Sequence, residues 1–142
     1  MITGIRHTGI VVRDLNAAVG FYTVILGLSV VSQGIESGPY LDAMLGLEGA
    51  EVAVVKMQAA DGGIIELLAF LSHLREPRPR DICDCGITHL AFTVDDADKM
   101  HKRLMAYGVK CVSEPQLTEG GFRVFFCNDP EGNKIEFVQV MH

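Results

Sequence analysis

Four side chains in this sequence have the right chemistry for a metal, and they come as two matching pairs. His7 lies in Gly4-Ile5-Arg6-His7-Thr8-Gly9-Ile10-Val11-Val12-Arg13-Asp14, and His89 lies in Gly86-Ile87-Thr88-His89-Leu90-Ala91-Phe92-Thr93-Val94-Asp95-Asp96. The step is constant, 7 to 89 and 14 to 96, or 82 residues. A second phrase recurs at a step of 70 residues, from Asp61-Gly62-Gly63-Ile64-Ile65-Glu66 to Glu131-Gly132-Asn133-Lys134-Ile135-Glu136. The chain therefore reads as two copies of one module, each with a strand histidine and a later strand glutamate. Two neutral imidazoles and two carboxylates carry a charge that offsets a divalent cation. Mixed nitrogen and oxygen donors suit Ni, Co, Mn, Fe(II) or Zn, with water at the remaining positions. An open position would let a substrate oxygen bind and be polarised. Taken singly, each glutamate reads as a solvated residue on an open sheet face, and each histidine as a packed or surface residue. Their recurrence in register is what argues for a shared task.

These residues need strands to present them. Alternation from about Ile5 to Val12 puts His7, Gly9 and Val11 on one face. Asp14 is placed to cap a helix whose apolar stripe is Leu15, Ala18, Val19, Tyr22 and Ile25 or Leu26, and Gly27 closes it. A strand is expected over 28–33. Residues 34–49 differ most between the copies and hold a short helix after Pro39, ended by Gly46. That stretch is either a substrate-specific cover or a surface insertion. Strands over 51–57 and 64–71 flank the Asp61-Gly62-Gly63 turn. Pro77, Pro79 and a run of charge mark residues 73–85 as the linker. The second copy repeats the plan, with strands over 88–94, 109–113, 122–128 and 134–140 and a helix capped by Asp95 or Asp96. The expected fold class is α+β, two tandem βαβββ modules. Module 1 spans about 1–72 and module 2 about 86–142, as one domain of residues 1–142.

The composition suits a soluble globular chain, with 49% hydrophobic and 21% charged residues. A net charge of -6 disfavours nucleic acid and anionic membranes as partners. The most apolar stretch, residues 64–71, is broken by Glu66 and is too short to span a bilayer. No targeting segment is seen at the start. Cys83, Cys85, Cys111 and Cys127 form neither a paired metal motif nor a disulfide framework, so reduced thiols and a cytoplasmic location are expected. Cys111 and Cys127 read as packed thiols. His73, His101 and His142 read as linker, helix-surface and terminal residues.

On these motifs the chain resembles the vicinal oxygen chelate superfamily: glyoxalase I, methylmalonyl-CoA epimerase, extradiol dioxygenases and bleomycin-resistance proteins. The carrying residues are His7 to Val12 with Asp14-Leu15, Phe21-Tyr22, Leu26-Gly27-Leu28, Ile65 to Leu68, His89 to Asp96 and Asp129 to Glu136. The resemblance covers nearly the whole chain. It implies a curved, cup-shaped mixed sheet around one divalent metal, with His7, Glu66, His89 and Glu136 at the ligand positions. It also implies a homodimer and a small-molecule substrate. The retained ligands lean away from the metal-free bleomycin-binding branch. Val11 stands where glyoxalase I often has a glutathione-holding arginine. The turn at 128–133 lacks the His-Pro-Lys type seen in epimerases.

The reaction implied is that of a lyase or isomerase: removal of a proton next to a metal-polarised carbonyl of a thiol adduct or thioester. Glu136, Glu66 or both would be the base. Phe70, Thr93 and Arg123 are the candidate substrate contacts. A single-domain Fe(II) extradiol-type dioxygenase and a non-catalytic binding or resistance protein are the two alternatives.

Overall fold

The computed structural model describes residues 1–141, so His142 lies outside the described residues. The chain forms two compact units, Met1–Pro77 and Arg78–His142. The fold class is α+β, and each unit is a βαβββ module.

In the first unit, β1 (Thr8–Val11) leads into α1 (Leu15–Gly20), which continues as a wider turn through Phe21–Ile25. The Asp14 carboxylate accepts from the Ala17 N–H at 2.9 Å and caps α1 as expected. The wide turn is fixed by the Leu26 N–H, which reaches back five residues to the Phe21 C=O at 3.0 Å. The chain then runs through β2 (Ser29–Ser37), α2 (Pro39–Leu45), β3 (Glu51–Gln58) and β4 (Ile64–Phe70). The sheet order is β1-β4-β3-β2, with β1 parallel to β4 and the other pairs antiparallel. β2 runs four residues beyond the expected strand because Gly34 to Ser37 stay paired to β3, with a register slip between Val30 and Ser32.

Cross-strand partners share a face, so register tells which side chains meet. Ile65, Leu67, Ala69, Val55 and Met57 form the buried face, and Ala18 of α1 with Phe21 and Tyr22 of the wider turn is buried as well. The opposite face carries Glu66 with Lys56, Leu68 with Val54, and Phe70 with Val52. One end of that face is covered. Leu41 of α2 clusters with Ala50, Val52 and Val54, against which Leu47, Leu68 and Phe70 pack. The helix expected after Pro39 is thus present, and it ends on Gly46, whose φ of 66° is cheap only for glycine.

Asp42 of α2 ties this cover down by accepting from the Gly49 and Ala50 N–H groups, each at 2.8 Å. Those bonds hold its carboxyl below the usual value of 3.8. A depressed folded value adds stability above the unfolded value and loses it as pH falls through the folded one. An Asp42→Asn variant should therefore be less stable than wild type near neutrality. The gap should narrow as pH drops below 3.8, and chemical denaturation at a series of pH values checks this.

The second unit contains β5 (His89–Thr93), α3 (Ala97–Ala106), β6 (Gln116–Leu117), β7 (Phe122–Asn128) and β8 (Lys134–Val140), in sheet order β5-β8-β7-β6. Asp96 caps α3 by accepting from the Lys99 N–H at 2.9 Å. The strand expected over 109–113 is corrected. It is a single bridge between Cys111 and Cys127, and pairing resumes only at β6. The buried Pro115 between them has no N–H to give the ladder. His101 is also corrected, since its ring packs edge-on to Phe125 at 5.3 Å rather than lying free on the helix surface. Asp129 is buried and closes the β7–β8 turn, accepting from the Glu131 N–H, the Asn133 N–H and the Asn133 amide. No helix among the described residues is long and apolar enough to cross a membrane.

Candidate functional site

Each module brings its histidine and glutamate together on the sheet face away from its first helix. In the first, β1 runs beside β4 with Gly9 opposite Glu66. His7 precedes that strand, and its Nε2 stands 3.8 Å from Glu66 Oε1. In the second, β5 runs beside β8 with Ala91 opposite Glu136, and His89 Nε2 stands 3.3 Å from Glu136 Oε2. The glutamate side chains are 13% and 20% exposed, so they are neither free surface groups nor sealed in the core. Half-buried carboxylates need partners, and the imidazoles stand where partners are needed.

The two pairs differ in what surrounds them. Lys56 is opposite Glu66 in the β3–β4 register, and its Nζ lies 3.2 Å from Glu66 Oε2. The residue opposite Glu136 is Phe126, whose ring also meets the His89 ring edge-on at 5.5 Å. One glutamate therefore faces an ammonium and the other an aromatic wall. The His89 ring is steadied from behind by a 2.9 Å hydrogen bond between Nδ1 and the Thr88 hydroxyl, which leaves Nε2 toward Glu136.

Phe70 and Thr93 lie on the glutamate faces of their sheets, opposite Val52 and Val138. Phe70 is packed in the Leu41 cluster, while Thr93 is exposed. The expectation for Arg123 is corrected. It pairs with Gln139, three residues along from the Phe126–Glu136 pair, and an odd offset puts it on the opposite face. There its Nη2 donates to Asp98 of α3 at 2.7 Å, while Gln139 accepts from the Ala97 N–H at 2.9 Å. Arg123 fastens the helix to the sheet. Lys56 is the residue that sequence reasoning passed over. The Asp61-Gly62-Gly63 hairpin fixes Gln58 against Ile64, and counting back two residues on each strand puts Lys56 against Glu66.

Among the described residues, no group of three or more His, Cys, Asp or Glu side chains is placed to hold a metal ion. What each unit offers is one His–Glu pair. The sequence model of the "Glyoxalase/Bleomycin resistance protein/Dioxygenase superfamily" matches residues 4–137. The chain belongs to this superfamily. A glyoxalase family protein of Bacillus cereus has the same fold, with a TM-score of 0.91 at 26% identity over 100% of this chain and 97% of that one. The fosfomycin resistance protein FosX of Listeria monocytogenes, solved with Mn(II) and sulfate, matches with a TM-score of 0.66 at 18% identity, over 98% of this chain and 93% of that one. In sequence, this glyoxalase-superfamily chain is 31% identical over 135 residues to a Synechocystis sp. protein named "Probable lactoylglutathione lyase", covering 94% of this chain and 92% of that protein. It is 30% identical over 142 residues to YwbC of Bacillus subtilis, covering 98% and 99% of the two chains.

Proposed function

We propose that this chain is a divalent-metal-dependent lyase or isomerase, with His7, Glu66, His89 and Glu136 as its metal ligands. The observation that carries the proposal is the repeated His–Glu pair, with Nε2 to carboxylate distances of 3.8 and 3.3 Å on equivalent strands. The donors fit the group. Imidazole nitrogen and carboxylate oxygen are ligands of first-row divalent ions, and each pair would offer one of each. When bound, the metal supplies a Lewis acid for a substrate carbonyl oxygen.

The protein's own residues divide the remaining work. Lys56 holds one oxygen of Glu66, which keeps that side chain in place as a fixed ligand. Phe126 gives Glu136 no ammonium partner of the kind that Lys56 gives Glu66, which makes Glu136 the residue to take the proton next to the carbonyl and return it. The apolar cluster of Leu41 from α2, Leu47 after it and Phe70 from β4 stands at one end of the Glu66 face, where it can exclude water from a small thiol adduct or thioester. A homodimer accounts for the exposed apolar side chains of Val11, Ile35 and Ile87, and light scattering tests it.

Metal analysis by mass spectrometry, on protein purified without added metal or a chelating tag, tests the ligand set. About one equivalent of Ni, Co, Mn or Zn is expected in wild type, lost in the His7→Ala/His89→Ala variant. Assays with hemithioacetals and acyl-CoA thioesters then test the reaction. Iron together with catechol-dependent oxygen uptake would replace the lyase with a dioxygenase. No metal after reconstitution would leave a small-molecule binding protein.

A further inference from the structure

Cys111 and Cys127 are the two cysteines that the fold places against each other. They form an isolated antiparallel bridge between the segment after α3 and strand β7. The flanking hydrogen bond runs from the Val112 N–H to the Phe126 C=O at 2.8 Å. A bond from the residue after one partner to the residue before the other marks a pair that exchanges no backbone hydrogen bonds of its own. Such pairs have their Cα atoms about 4.5 Å apart and their side chains closest, within the separation that a disulfide spans. Neither cysteine takes part in the site described above. Cys127 is fully buried and Cys111 partly so.

We propose that Cys111 and Cys127 are a thiol–disulfide couple, oxidised to an intramolecular disulfide by a peroxide. Cys111, the more accessible, attacks hydrogen peroxide. Its sulfur–oxygen bond forms as the oxygen–oxygen bond breaks, and hydroxide leaves to become water with the thiol's proton. Cys127 then attacks the Cys111 sulfur. The sulfur–sulfur bond forms, the sulfur–oxygen bond breaks, and the second hydroxide leaves as water with the Cys127 proton. Two thiols are oxidised by two electrons and one peroxide is reduced to two waters. Burial raises both thiols, Cys127 to about 12 with the nearby Cys111 and Asp129 adding to the effect, so the couple resists casual oxidation near neutrality.

The bond would close residues 112–126 into a loop and pin the strand that carries Phe126. Phe126 is the wall opposite Glu136 and beside His89, so the oxidation state of the two cysteines bears on the rigidity around the His89–Glu136 pair.

The test uses the full chain with Cys83→Ser and Cys85→Ser, which removes the two exposed thiols. The reduced protein is treated with hydrogen peroxide at mildly alkaline pH and mapped by mass spectrometry without reduction. The expected product has lost two hydrogen atoms, yields one peptide pair linked through Cys111 and Cys127, and reverts with dithiothreitol. Its melting temperature should rise by about 5–10 °C on oxidation, and adding Cys111→Ala should abolish both changes. Sulfinic or sulfonic acid at Cys111 with a free Cys127 thiol would overturn the proposal. So would persistence of both thiols, or a bond between two copies of the chain.

Discussion

Glutamine in place of Glu136 is expected to lower turnover about 10²–10⁴-fold, the range for losing a positioned general base, while fold and metal content survive. Glutamine keeps the size of the side chain and one oxygen that can serve as a ligand, but it does not accept the proton. The matched Glu66→Gln variant should behave differently. Glu66 shares its second oxygen with Lys56 at 3.2 Å, so the amide gives up an ion pair as well as a ligand. Its main cost should fall on metal retention. Steady-state kinetics on whichever thioester or hemithioacetal is turned over, with metal content measured on the same samples, separates the two. Equal loss of turnover in both variants at equal metal content would refute the division of labour drawn from the Lys56–Phe126 contrast. Full activity of Glu136→Gln would remove Glu136 from the mechanism.

The two histidines and two glutamates were legible as a set because a repeat in register marks equivalent positions twice, although β1 begins at Thr8, after His7, where the strand was expected from about Ile5. Once β1 pairs with β4 and β5 with β8, each histidine is brought beside its glutamate. The helix starts at Asp14 and Asp96 were legible for a local reason, since a carboxylate that accepts an N–H three residues on acts within one turn. Two of the misreadings, Arg123 and His101, were non-local. Arg123 alternates into a face whose identity depends on pairing with β8, and nothing within β7 alone says which face the helix covers. The expected strand over 109–113 failed because its neighbour in sequence, Pro115, removes a donor at the point where pairing should continue. His101 reads as a helix-surface residue because nothing within its own helix says what faces it. The Phe125 ring it rests against is known only once the sheet is built.

The largest stability effect is expected from Phe137→Ala. Phe137 is 1% exposed and stacks on Phe125 with ring centroids 4.9 Å apart, and more loosely on Phe92 at 6.2 Å. The register explains the stack: Phe137 is directly opposite Phe125 on β7 and Phe92 on β5, so three adjacent strands present rings to one layer. Leu104 of α3, fully buried, and the His101 ring on Phe125 belong to that same side of the sheet. Truncating the middle ring removes its transfer energy and leaves a void that two strands and a helix would have to collapse together to fill. The cost should be about 3–5 kcal/mol, which lowers the melting temperature by roughly 10 °C for a chain of this size. A Phe137→Leu variant keeps most of the volume and should lose less than half as much. Glu136 is the next residue along β8 and points to the other face, so thermal unfolding read beside metal content distinguishes packing from ligation. A loss of metal at temperatures where the Phe137→Ala protein is still folded would mean that the aromatic layer also fixes the geometry of the His89–Glu136 pair.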